Sequence, residues 1–392
     1  LTNLNKSLRF ADKADSQDIW IKNNNVNISN SSIAATGTNN YFNLGYGYNG
    51  NTYGVLIGSN DANASSTSTT DYTSIENNGL TITGSSIKAN ATYNQGNAYG
   101  VLIGFDGTAD GSNTPNNYIY ENTVDINKTI NITASTFAGT AYGVAIGYNG
   151  EAKYGDIKAN KLTIANNSTI QSTSSLYNSY GVLIGYNETA DNSYIYNNIF
   201  DVTDNSNIGS NAGASNNGTA YGIMVGYNAA LADSSYISYN DLTVNGSTIS
   251  ATADAGVAYG VLVGYNQDQG TTNYQIDNNS LTVSGGNIYA TSNSGDAVYG
   301  IAFGLDGLGN DAVAGPNVYS NTLTLKNNVN LILHTYKNPY GPAGKAYGIW
   351  TNLDSSYNNH FYNYGVIIHR TDGGGTNYGF QIKGLDDYTL DW

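Results

Sequence analysis

The side chains with the chemistry to act on a ligand fall into three groups. Acids recur between apolar segments at Asp61, Asp106, Asp110, Glu151, Glu188, Asp191, Asp233, Asp268, Asp306 and Asp311. Carboxylates hold calcium through oxygen or work in pairs on a glycosidic bond. No copy has the dense Asp spacing of a dedicated calcium loop, so these acids read as solvated turn residues. Calcium is the one cofactor they suggest, and none is required. His334, His360 and His369 have spacings that match no metal motif, and Cys is absent, which removes thiolate sites and disulfides together. The third group is aromatic: Trp20, Tyr118, Tyr120, Tyr194, Tyr196, Tyr236 and Tyr319. Exposed aromatics on a polar face stack on sugars or dock a partner, and this group reads as a candidate adhesive surface. Its plainer use is cross-strand pairing between neighbouring copies.

What positions these residues is a repeat. A Tyr-Gly pair recurs at Tyr53, Tyr99, Tyr142, Tyr180, Tyr221, Tyr259, Tyr299 and Tyr347, a period near 40 residues. Propellers of similar period carry Trp-Asp and Gly-His signatures, and this chain has only three Trp. Between the Tyr-Gly segments lie stretches such as ANKLTIANNSTI. Aligned on their Leu, the copies place Val26, Leu80, Val124, Leu162, Phe200, Leu242, Leu281 and Leu323 at position zero. Position +2 is Ile28, Ile82, Ile126, Ile164, Val202, Val244, Val283 and Leu325, the period-two mark of a strand with one buried face. Position -5 runs from Ile21 to Val318 and is apolar in every copy.

Position -2 is Asn throughout: Asn24, Asn78, Asn122, Asn160, Asn198, Asn240, Asn279 and Asn321. The inward column changes parity across this Asn, so the chain must turn there, and Asn tolerates the left-handed conformation a turn requires. Stacked copies would let the carboxamides bond to one another in a ladder, satisfying polar groups that are costly to bury bare. A third strand follows, carrying Ile87, Ile170, Ile249 and Ile288. Several short strands per copy with no helix between them predict an all-β parallel solenoid of about eight rungs. At ~4.8 Å per rung its body is about 40 Å long.

In the Tyr-Gly strand, Tyr, Val and Ile share one parity, which predicts that they face the core with the Tyr hydroxyl at a corner. The other parity reads Gly-apolar-Gly, with Leu56, Leu102, Ala145, Leu183, Met224, Leu262, Ala302 and Trp350 in its middle column. Such a stripe should not stay in water. The connection that follows, a second protomer or a ligand groove would each cover it.

The N-x-LTI-x-x-S-T-I pattern with its Asn column resembles the right-handed parallel β-helix of pectin-lyase-like proteins. Its Asn, Gly and Thr-rich, Cys-free, acidic form is similar to the passenger region of autotransporter surface proteins of Gram-negative bacteria. The resemblance covers roughly residues 20–350. It implies a non-enzymatic structural or adhesive protein, exported to the cell surface and extracellular. The partners it implies are itself or neighbouring protomers in a layer or fibre, and host or matrix glycans or proteins. Autotransporters also carry a membrane barrel, and nothing after Tyr347 is long enough to be one, so a mature or trimmed piece is expected. The other expectation on this fold is a polysaccharide-active enzyme or tailspike-like depolymerase. A lyase would want a basic residue, yet Arg9 and Arg370 both lie outside the repeats. Residues 1–19 are expected to cap one end, with ADKADSQDIW as candidate, 20–350 to form the repeats, and 351–392 to cap the other end with a hairpin of YNYGVIIHR and NYGFQIKG around TDGGGTN. A net charge of -15 with no basic stripe excludes nucleic acid as a natural partner, and no apolar run reaches the ~18 residues of a membrane span.

Overall fold

The computed structural model describes residues 8–10, 18–37, 51–60, 72–92, 96–106, 116–149, 154–187, 193–213, 218–228, 235–266, 275–294, 296–306, 318–336, 344–351, 359–372 and 377–382. Four short strands make one turn of the chain, as in Tyr154–Lys158, Lys161–Ala165, Thr169–Ser174 and Ser179–Asn187. Each pairs in parallel with its equivalents in the turns before and after, so that Leu162 stands opposite both Val124 and Phe200. Equivalent strands collect into an eight-stranded sheet, a sixteen-stranded sheet and a ten-stranded sheet that holds the Tyr-Gly strands. The chain is thus a right-handed parallel β-helix with one coil per repeat.

Apolar residues at alternate positions explain why these segments are strands. Leu80 and Ile82 point inward from Gly79–Thr83 while their neighbours face out. Within one coil, Val55, Ile57, Ile75, Leu80, Ile82 and Ile87 join a single cluster that runs through the solenoid. Burying each such side chain contributes about 1.5–3 kcal/mol relative to exposure. The turn between the first two strands needs a left-handed residue, but it is not the ladder Asn. The positive φ belongs to the residue before it: Asn77 (54°), Glu121 (55°), Ala159 (51°) and Tyr239 (55°). This shift leaves the Asn side chain free to point inward.

The Tyr-Gly strand departs from simple alternation. Pairing joins Tyr142 to Tyr180, Val144 to Val182 and Ile146 to Ile184 but passes over the glycines. A Cβ built on Gly143 would lie 2.5 Å from the Gly181 carbonyl oxygen and 2.5 Å from Cγ2 of Ile170, a core residue. Gly147 adopts φ +73°, and its Cβ would lie 2.3 Å from Cγ2 of Ile157. Both glycines therefore face the core, where no side chain fits. The parity resets at the first Gly, and the Tyr is placed outside the solenoid with the apolar stripe rather than inside with Val and Ile.

The residues expected to form a C-terminal hairpin instead continue the coil. His360–Asp372 runs parallel to Thr322–Thr335, and Asn377–Ile382 runs parallel to Ala346–Thr351 in a different sheet. Phe361, Val366 and Ile368 give the former strand an apolar face that docks on the core. At the other end, Leu8–Phe10 pairs with Val55–Ile57 and Asp18–Lys22 with Tyr72–Glu76, so the stretch ADKADSQDIW ends in a sheet strand.

Candidate functional site

The ladder is continuous. Nδ2 of Asn78 donates to Oδ1 of Asn122 at 3.0 Å and to the Ile21 carbonyl at 2.9 Å, and the Asn78 N–H donates to the same Oδ1 at 3.1 Å. The pattern repeats through Asn160, Asn198, Asn240, Asn279 and Asn321, with Asn24 at its start. It extends one rung further than the repeat suggests, to Asn359, whose Nδ2 donates to the Val318 carbonyl at 2.8 Å. Both amide hydrogens and both carbonyl lone pairs are used in each interior Asn, as the dry core demands. The column is structural, with no group left over for chemistry.

The apolar stripe is buried: Leu56, Leu102, Leu183, Met224, Leu262 and Ala302 fully, Ala145 and Trp350 nearly so. It packs between two columns of tyrosine rings. On one side Tyr99 stacks on Tyr142 at 4.7 Å, Tyr142 on Tyr180 at 5.0 Å and Tyr180 on Tyr221 at 4.7 Å, all within a few degrees of parallel. On the other, Tyr148, Tyr186 and Tyr227 stack at 4.7 Å. Burial, with the neighbouring phenols, pushes the Tyr180 and Tyr259 hydroxyls well above the ordinary phenol value. The connections expected to cover this stripe, and most of the acids they carry, lie outside the described residues; Asp106 and Asp306 end strands, but nothing is described of their side chains. Among the described residues no three His, Cys, Asp or Glu come together as a metal site.

The aromatic candidates share one sheet. They stand in two outward columns on the eight-stranded sheet. One runs Trp20, Ser74, Tyr118, Asp156, Tyr194, Tyr236, Gln275; the other runs Lys22, Glu76, Tyr120, Lys158, Tyr196, Ser238, Asp277, Tyr319. Trp20 and Tyr194 are exposed, and Tyr118, Tyr120, Tyr196, Tyr236 and Tyr319 are half-buried. At the start of the sheet the Lys22 ammonium sits 4.5 Å from the Trp20 ring and 3.7 Å from Glu76. Midway, Lys158 Nζ lies 5.3, 5.4 and 5.7 Å from the rings of Tyr118, Tyr120 and Tyr196 and 3.5 Å from Asp156 Oδ2. Burial alone would lower the Lys158 pKa, but contacts with Tyr196 and Asp156 outweigh it and hold the ammonium above its ordinary value. For Asp156 burial wins over the attraction of Lys158, and its carboxyl is raised.

Further along, Tyr194 and Tyr236 stack at 5.0 Å, and Tyr196 meets Tyr194 edge-on at 6.5 Å. Beside them opens a groove of about 440 Å³, lined by Asp156, Tyr194, Tyr196, Tyr236, Ser238, Tyr239, Gln275 and Asp277. Asp277 is buried at its floor and accepts from Ser238 Oγ at 2.6 Å and Asn278 Nδ2 at 2.6 Å. Tyr319 donates its hydroxyl to Gln275 Oε1 at 3.0 Å. Trp20, Tyr118, Tyr120 and Tyr319 do not line this groove. Sequence reasoning missed Asp156, Lys158, Ser238, Tyr239, Gln275 and Asp277. All but Tyr239 occupy the two outward positions flanking the -5 column, and reading those columns in every copy would have found them.

Two carboxylate pairs bear on catalysis. Asp156 and Asp277 are three strand steps apart and two residues out of register, about 16 Å at ~4.8 Å per step and ~3.3 Å per residue, beyond the ~6.5–9.5 Å of an inverting glycosidase. Asp201 and Asp241 stand diagonally across adjacent strands of the sixteen-stranded sheet, about 7–8 Å apart by sheet geometry. Burial raises the Asp201 carboxyl, with Asp241 adding to the shift and Lys161 opposing it. Both lie on an outward sheet face, with Asp241 exposed.

This site defines the chain as a β-helix scaffold that carries an aromatic groove on one sheet. Compared with known proteins, the chain matches no family model, no curated protein and no solved structure. No described helix is long and apolar enough to cross a membrane.

Proposed function

We propose that the chain is a non-enzymatic structural and adhesive surface protein of the autotransporter-passenger type, working outside the cell. The solenoid is the rigid frame, and the eight-stranded sheet presents the aromatic groove to carbohydrate on a neighbouring cell, host or matrix. The observation that carries this reading is the convergence of Tyr194, Tyr196, Tyr236 and Tyr239 with Ser238, Gln275 and Asp277 around one open groove. Apolar ring surface beside a few polar groups is what sugar recognition needs. Lateral packing of solenoids into a layer or fibre is compatible with the same frame.

The test is retention on a panel of immobilised oligosaccharides, with the eluate checked for cleavage products. The intact protein should be retained by at least one sugar without cutting it. Tyr194→Ala should weaken retention about two- to tenfold, the equivalent of ~0.5–1.5 kcal/mol for one aromatic contact. A protein retained by none, or one that releases products, refutes the reading. The Asp201–Asp241 spacing favours a second reading as a polysaccharide-active enzyme. Under it, products appear with the intact protein and vanish in Asp201→Asn.

A further inference from the structure

We infer that the groove recognises a protonated amine carried on a carbohydrate. This rests on the adhesive reading and deepens it by naming the ligand chemistry. The sheet contains its own template. Lys158 places an ammonium between Tyr120 and Tyr196, within 5.4 and 5.7 Å of their rings, with Asp156 at 3.5 Å as counter-charge. A cation over aromatic faces beside a carboxylate is an established mode of ammonium recognition.

One strand beyond Tyr196 the same column holds Ser238, and one strand beyond that Asp277. The short Ser238 side chain leaves unfilled the position that Lys158 fills on the other side of Tyr196. That space is bounded by Tyr196 and Asp277 along the column, and by Tyr194 and Tyr236 in the companion column. Each element of the Lys158 cage has a counterpart here except the ammonium. Asp277 takes its hydrogen bonds from the neutral Ser238 hydroxyl and Asn278 amide, and neither compensates its charge. A net charge of -15 steers cations toward the molecule. The groove, at about 440 Å³, is large enough for a small-molecule ligand. Its hydroxyl and amide groups, Ser238 and Gln275 among them, suit the hydroxyls of a sugar. These features favour an amino sugar over a lysine side chain.

The experiment compares binding of oligomers of glucosamine with fully N-acetylated oligomers of the same length, by calorimetry on the whole chain. Acetylation removes the charge and keeps the ring. The glucosamine oligomer should bind about tenfold tighter or more, the ratio expected of ~1.4 kcal/mol. Ser238→Lys, which supplies a tethered ammonium, and Asp277→Asn, which removes the counter-charge but keeps a hydrogen-bond acceptor, should each abolish that preference. Asp277→Asn carries the test if Ser238→Lys fails to fold. Equal affinity for both oligomers overturns the inference and leaves sugar adhesion standing. Binding of neither oligomer, while another sugar on the panel is retained, also overturns it. Retention of no sugar at all overturns both readings. A preference that survives both substitutions places recognition elsewhere and overturns the assignment to this groove. Binding of a lysine-rich peptide instead of either oligomer overturns it in favour of a protein partner.

Discussion

Truncating Asn160 to Ala should be among the most damaging single changes in the chain. Its carboxamide accepts from the Asn122 N–H at 3.1 Å and Asn122 Nδ2 at 2.9 Å, and donates to the Ile119 carbonyl at 2.9 Å and Asn198 Oδ1 at 3.0 Å. Without it, the Asn122 N–H, one Asn122 amide hydrogen and the Ile119 carbonyl lose these bonds in a dry interior. At ~1–3 kcal/mol for each buried group left bare, with partial relaxation, the expected cost is about 3–6 kcal/mol. Asn24→Ala is the internal control. Asn24 is half-buried at the ladder's start, where its side chain donates to Asn78 at 2.9 Å. The acceptor left behind, Asn78 Oδ1, keeps its bond from the Asn24 N–H at 3.1 Å, so the cost should stay near ~1 kcal/mol. Urea unfolding measures both, read as a fall in midpoint at constant slope. Equal, small losses in the two variants would refute the claim that the buried carboxamides are a continuous, fully satisfied column.

Glycine and tyrosine give further tests of the fold. Gly143→Ala puts a methyl 2.5 Å from both a backbone oxygen and a core Ile and should cost about 3 kcal/mol or more through overpacking. Gly246→Ala, at φ +59° with nothing within 4 Å, should lose only the ~1 kcal/mol of a left-handed residue; thermal melts compare the two. Alkaline unfolding tests the tyrosine columns. The folded-state pKa of Tyr180, Tyr221, Tyr259 and Tyr299 is raised, first by burial, so their contribution is full below the free phenol value near 10 and lost as pH climbs toward the folded values. Each ring then removes up to about 1.4 kcal/mol per pH unit. The part of the rise in tyrosinate absorbance that comes from these buried rings should coincide with loss of the β signal in circular dichroism. Free titration of all phenols near pH 10 in a folded protein would contradict the packing.

Much of the fold was legible because stacking enforces it column by column. Leu162, Ile164 and Asn160 each face an equivalent residue above and below, so a mismatch in any copy would break a ladder, and the alignment exposes the constraint. The Tyr-Gly strand was misread for a physical reason. Alternation assumes every residue carries a side chain, and Gly143 lets the chain place two successive residues toward the core. The left-handed residue was misplaced by one because Ala159 and Tyr239 adopt it as well as Asn does. Aromatic candidates were found by exposure and residue type, yet the groove depends on the short Ser238 and the buried Asp277 between larger neighbours. Those residues vary from copy to copy, and a repeat search averages such variation away.

A crystal structure of the protein soaked with a sugar that it retains tests the adhesive account most directly. The account predicts electron density for the sugar in the groove on the eight-stranded sheet, in contact with Tyr194, Tyr196 or Tyr236 and within hydrogen-bond reach of Gln275 or Asp277. Density for the sugar at the Asp201–Asp241 pair, or anywhere away from that sheet, would contradict it.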